Sequence, residues 1–112
     1  MYSGSHHKED ILYTLGRINP KYLIGLYIKT RRTAQRRTPE IMNDEGLDYD
    51  TAKAKAYTQT GCAVVYDGVS FIVSYKTLKE EFNRRVEIGQ ILVDPTATTL
   101  KTRWTVNKEF NK

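Results

Sequence analysis

Apolar positions near the start of the chain recur at Ile11, Leu12, Leu15 and Ile18, the i, i+1, i+4, i+7 spacing of a single helical face. The spacing predicts a helix over His6–Ile18, with Ser5 as its cap and Glu9 and Asp10 in a first turn where the helix dipole favours acids. Asn19-Pro20 reads as its stop. From Tyr22 to Lys29 the pattern changes, because Tyr22, Leu23, Ile24, Leu26, Tyr27 and Ile28 are apolar on both parities. This short stretch, rich in Tyr and Ile, predicts a buried strand; a helix running on into the following arginines is the alternative reading. Thr38-Pro39-Glu40 has the form of a helix start, with Thr38 as cap and Pro39 at the first helical position, and Gly46 ends that short helix. Asp48 or Asp50 then caps an alanine-rich helix over Thr51–Gln59.

The alternation from Ala63 to Val73 is that of a β-hairpin around Asp67-Gly68, a pair that supplies the positive φ angles of a two-residue turn. Its register pairs Tyr66 with Val69, Val64 with Phe71 and Cys62 with Val73, placing all six on one apolar face. Thr77-Leu-Lys-Glu80 matches a capping box that opens a helix to about Ile88, with Leu78, Phe82 and Val86 on one stripe and Gly89 as terminator. Ile91–Val93 predicts a brief strand before the Asp94-Pro95 turn, and Thr98–Lys108, rich in Thr, Val and Trp, predicts a final one. The expected fold class is α+β: a small, mostly antiparallel sheet of about four strands, including a 63–75 hairpin, with helices packed on one face. Its 112 residues amount to a single domain with one modest core, and residues 1–7, small and polar, read as a disordered N-terminal tail.

Charge sharpens this picture at one place. The chain carries a net +5, and residues 1–40 alone hold eight Lys/Arg against three Asp/Glu. Lys29, Arg31, Arg32, Arg36 and Arg37 put five cations in nine residues with no acid among them. Such crowding costs free energy unless an anion neutralises it, and nucleic-acid phosphate is the anion that most often does. The guanidinium fork suits two oxygens of one phosphate, so the preponderance of Arg favours phosphate contact over mere solubility. Arg84 and Arg85 at the end of one helix, and Lys101 and Arg103 beside Trp104, extend the candidate phosphate-binding set. The bland readings are a solvated helix face for the tract and compensation of a helix dipole for Arg84 and Arg85. Tyr22, Tyr27 and Tyr57 are available to stack on bases; Tyr66, Tyr75 and Trp104, on apolar strand faces, are expected to fill the core. A helix-turn-helix over Thr38–Gln59 is disfavoured, since its second helix offers no Arg or Asn to read base edges and brings Asp48 and Asp50 towards the phosphates.

Catalytic chemistry finds little material. His6 and His7 are the only histidines, so no Ser/His/Asp arrangement forms around a fixed imidazole. Asp44, Glu45, Asp48 and Asp50 lack calcium-loop spacing, and the glycines form no phosphate loop. No cofactor or metal is implied. Cys62, the single cysteine, is expected to point inward and be inert, and a chain without disulfides suits a reducing cytoplasmic setting. No apolar run approaches the roughly 20 residues that span a bilayer. Small size, basic charge and the lack of a catalytic signature are of a kind common among phage and mobile-element accessory proteins. The leading expectation is a small nucleic-acid-binding regulatory protein that contacts phosphates through Lys29–Arg37. The alternatives are an inhibitor or counter-defence factor that meets an acidic protein, and a sequesterer of a small phosphorylated nucleotide. Unpaired sheet edges and the two-sided apolar stretch at Tyr22–Ile28 also raise a homodimer.

Overall fold

The computed structural model describes residues 8–110. The expected Ser5 cap, the two histidines and the residue 1–7 tail lie outside them. Helix α1 (Lys8–Leu15) ends on Leu15, and a turn leads to a much longer helix, α2 (Pro20–Glu45). Asn19-Pro20 therefore starts a helix, correcting the reading of it as only a stop. The Asn19 side chain accepts the Lys21 N–H at 2.8 Å, and Pro20 occupies the first turn, where its missing N–H costs nothing.

The strand expected at Tyr22–Lys29 is helical, and so is the whole basic tract after it. Leu23, Tyr27, Thr30, Ala34, Thr38 and Ile41 are all buried, recurring every three or four residues along one stripe of α2. Ile24, Leu26 and Ile28 widen that stripe at its N-terminal end, where packing comes from several sides, and this width imitates a strand buried on both faces. Thr38-Pro39 is likewise no helix start. Pro39 lies inside α2, where it removes the bond to the Gln35 carbonyl; both residues are exposed, so the change falls on the solvent side of the helix. Gly46 ends α2 as expected, in the left-handed region at φ 66°, with its N–H on the Met42 carbonyl.

Helix α3 (Tyr49–Gln59) begins on Asp48, whose carboxylate accepts the Thr51 N–H at 2.8 Å. It folds back on α2, where Ala52 and Ala56 bring the two backbones close beside Ile41. Strands β1 (Gly61–Tyr66) and β2 (Val69–Ser74) form the expected hairpin in the expected register, turning at Asp67 (φ 52°) and Gly68 (φ 77°). Gly61 is needed for closeness: a Cβ there would stand 2.8 Å from the Val73 carbonyl oxygen. Val64, Phe71 and Val73 face the core, while Val65 and Ile72 are exposed on the outer face.

Helix α4 (Tyr75–Glu87) starts three residues earlier than the capping box implied. Ser74 is the cap, its hydroxyl accepting the Thr77 N–H at 3.2 Å. Strand β3 (Ile91–Val93) pairs antiparallel with β4 (Trp104–Val106), and a helical turn, α5 (Leu100–Arg103), precedes β4. The long strand expected over Thr98–Lys108 is thus cut to three residues. A strand needs a partner, and β3 stops at the Asp94-Pro95 turn; the freed residues coil into a turn instead, with the Thr99 and Thr102 hydroxyls 2.8 Å apart. The architecture is α+β, with four strands among the described residues, divided between two separate ladders. Leu15, Leu23, Val64, Leu78, Phe82 and Ile91 are central members of its main core.

One polar assembly is sealed into that core. Arg85 is only 2% exposed and Glu81 8%. The Arg85 guanidinium donates to Glu81 Oε2 at 2.8 Å, to the Leu15 and Ile18 carbonyls at 2.8 Å each, and to Gln90 Oε1 at 3.2 Å. Those two carbonyls belong to the end of α1 and the turn after it, where helical acceptors lack intrahelical partners. Arg85 therefore ties α4 to the α1–α2 connection.

Candidate nucleic-acid interface

Because the tract is helical, its cations are sorted by the 3.6-residue period. Lys29, Arg32, Thr33 and Arg36 fall on one side of α2 and, with Gly25, Ile28 and Lys101 of α5, line a cleft of about 480 Å³. Gly25 keeps one end open, since nothing lies within 4 Å of where its Cβ would be. Among the described residues none of these four cations is paired with a carboxylate. Arg36 reaches only the Thr33 hydroxyl, at 3.4 Å. Two elements distant in sequence thus bring four of the nine nominated cations to one surface.

The other five are placed elsewhere. Arg37 donates to Gln59 Oε1 at 3.3 Å, across to the end of α3. Arg103 lies over the Trp104 ring, 5.8 Å from its centroid. Arg84 forms a two-point bond with Glu81, with the rest of its side chain in solvent. Arg85 is the buried tie described above, its guanidinium closed off from water. Arg31 turns to the opposite flank of α2, over the rings of Tyr27 and Trp104 at 5.7 and 5.9 Å.

On that flank α2, α3 and α4 border a second, open cavity of about 450 Å³, lined by Tyr27, Arg31, Asp50, Lys53, Ala54, Tyr57, Tyr75 and Lys79. The sequence reading nominated neither Lys53 nor Lys79. The available signal was Lys53 and Tyr57 at i, i+4 on α3, which places both on one side of that helix. Arg31 Nε is buried with no acceptor, an arrangement that costs about 1–3 kcal/mol when nothing satisfies it.

Most aromatic rings are structural. Tyr27 stacks on Phe82 at 4.1 Å and meets Trp104 edge-on at 5.4 Å, and Tyr75 and Trp104 are buried as expected. The Tyr22 hydroxyl accepts the Val65 N–H, and Arg17 donates to the Tyr66 hydroxyl. Of the acids once weighed as a cation site, Glu45 pairs with Lys55, Asp48 caps α3 and Asp50 faces the second cavity.

Cys62 is half-buried between β1 and α2. Burial pushes its thiol above the ordinary range, outweighing the opposing pull of the Thr30 hydroxyl and the Lys29 ammonium. The thiolate is the reactive form, so native protein at pH 7.5 is expected to react with a thiol reagent at least about tenfold more slowly than urea-unfolded protein. Equal rates would show an open, activated thiol.

Comparison with protein-family models, curated proteins and solved structures finds no match for this chain. Among the described residues no helix is long and apolar enough to cross a membrane.

Proposed function

We propose that this protein binds nucleic acid by its phosphates, through the cleft lined by Lys29, Arg32, Arg36 and Lys101. The observation that carries the reading is the convergence of four cations from α2 and α5 on one cleft without a carboxylate among them. Placing four positive charges side by side is unfavourable in the free protein, and a polyanion relieves it. Lys29 to Arg36 spans seven residues, about 10 Å of helix. Phosphates of one strand advance about 3.4 Å along the duplex axis, so this row matches roughly three of them. Lys101 widens the contact across the cleft. The cleft presents guanidinium and ammonium groups without an Asn or Gln to pair with base edges, which favours contact by charge over sequence readout.

The reading is tested by fluorescence anisotropy with duplex and single-stranded oligonucleotides over a range of salt. Four neutralised phosphates predict that log K falls against log salt with a slope of about −3.6 for duplex and about −2.8 for single strand. A slope near zero, or capture of an acidic protein partner that survives nuclease digestion with no oligonucleotide binding, overturns it.

A further inference from the structure

We infer that the cavity between α2, α3 and α4 is a second site, for a terminal phosphate monoester carried on a nucleoside, presented either by a free mononucleotide or by the phosphorylated end of a strand. It lies on the opposite flank of α2 from the basic cleft and does not rest on that cleft's function.

Three features carry the inference. The first is charge. Arg31, Lys53 and Lys79 surround the space with Asp50 as the single acid, a surplus of two positive charges. A phosphate monoester carries close to two negative charges near neutral pH, whereas an internal phosphodiester carries one. The surplus therefore matches a chain end or free nucleotide better than the interior of a strand.

The second is Arg31. Its Nε is buried without an acceptor, although nearly all such donors in folded proteins find one. The Tyr27 and Trp104 rings hold its guanidinium from within the core, so it is already placed, at the wall of a cavity, before any acceptor arrives. An arginine held in place and lacking an acceptor is what binding of an oxyanion requires.

The third is shape and the remaining chemistry. A cavity of about 450 Å³ lies in the size range of small-ligand sites. Tyr57 is half-buried at its wall and stands edge-on to Tyr75, ring centroids 4.8 Å apart, offering an aromatic surface for a base. Burial, the bond to Tyr27 and that neighbouring phenol together keep the Tyr75 hydroxyl protonated, and it gives that proton to the Tyr27 hydroxyl at 3.5 Å, which fixes the cavity wall. The Asp50 carboxylate, out of place in a site for phosphate alone, suits the exocyclic amino group of a base.

Trp104, the only tryptophan, lies beneath Arg31 and reports on the site by its fluorescence. The full-length protein is titrated, at a salt concentration high enough to weaken contacts by charge alone, with the four nucleoside monophosphates, adenosine, inorganic phosphate, and matched oligonucleotides ending in 5′-phosphate or 5′-hydroxyl. A nucleoside monophosphate or the 5′-phosphorylated oligonucleotide is expected to bind at least tenfold more tightly than both adenosine and phosphate. Lys79→Glu and Tyr57→Ala are each expected to lose at least tenfold, with circular dichroism unchanged. Arg32→Glu/Arg36→Glu is expected to leave mononucleotide binding intact, which separates failure of the cavity from failure of the cleft. Tighter binding of mononucleotides assigns the site to free nucleotide, and tighter binding of the phosphorylated oligonucleotide assigns it to strand ends. Two results overturn the inference: no ligand binding at millimolar concentration, or loss of mononucleotide binding in the cleft double variant equal to that in Lys79→Glu.

Discussion

Arg32→Glu/Arg36→Glu is expected to lower nucleic-acid affinity by at least about 100-fold at low salt and to reduce the salt slope by about two. The magnitude follows from the two charge-assisted contacts removed, worth roughly 1.5–3 kcal/mol each; the repulsion added by two carboxylates increases it. The slope follows from counting, since each lost phosphate contact releases about one counterion fewer on binding. The fold is expected to be untouched. Arg32 and Arg36 are exposed and, among the described residues, pair with no carboxylate, so stability stays within about 0.5 kcal/mol. Anisotropy titrations read the affinity and thermal unfolding reads the fold. Undiminished affinity in a folded double variant removes the cleft from consideration. Arg37→Glu serves as a comparison: its guanidinium is tied to Gln59 at the end of α3, so a much smaller loss of affinity is expected.

The second large effect concerns stability. Arg85→Met keeps much of the side-chain volume but removes every polar bond of the buried tie. Glu81 loses one of its two arginines, the Ile18 carbonyl loses its donor inside the core, and the Leu15 carbonyl keeps only the Ile18 N–H at 3.4 Å. Breaking a buried pair in this way costs about 3–5 kcal/mol, a large share of the 5–15 kcal/mol that holds a domain of this size together. Thermal unfolding is expected to fall by on the order of 10–20 °C. Arg84→Ala at the exposed end of the same cluster is expected to cost no more than about 1 kcal/mol. Equal losses for the two variants would show that Arg85 is not the anchor.

The same cluster makes stability depend on pH. Burial alone would raise the Glu81 carboxyl, but the hydrogen bonds and charges of Arg84 and Arg85 outweigh it and hold the group below its ordinary 4.5. A depressed carboxyl stabilises the fold above its unfolded value and loses that contribution as pH falls through the folded one. Stability is thus expected to decline below about pH 4.5, with a shallower decline in Glu81→Gln. Asp48 and Asp94, held low by hydrogen bonds from Thr51 and Thr96, keep part of the slope in that variant. Urea midpoints between pH 2.5 and 7 measure it.

The hairpin shows how much can be read when a signal is local. Asp67-Gly68 sets the turn, the turn sets the register, and alternation does the rest, so the pairing of Tyr66 with Val69 needs no knowledge of other parts of the fold. Asp48 and Gly46 are similarly self-contained, because a cap is satisfied within one helical turn. The misreadings share the opposite property. Tyr22–Ile28 was ambiguous because a broad buried helical face and a doubly buried strand both appear as an unbroken apolar run. Only the stripe continuing through Thr30, Ala34 and Thr38, polar or small residues that no hydrophobicity count would select, reveals the helix. Pro39 misled for a related reason, since a proline on the solvent side of a long helix is tolerated when water can replace the bond it removes.

The candidate sites follow the same division. The amino-acid sequence alone determined that a dense cationic tract exists, because charge is counted residue by residue. Tertiary structure decided which of those cations act together. Helical winding divided Arg31 from Arg32 by about 100°, sending one to the second cavity and the other to the cleft. Folding then brought Lys101 to the cleft and buried Arg85 against the end of α1. Neither outcome is local: each depends on where a distant segment packs, and a side chain's chemistry is set by the neighbours it finds there.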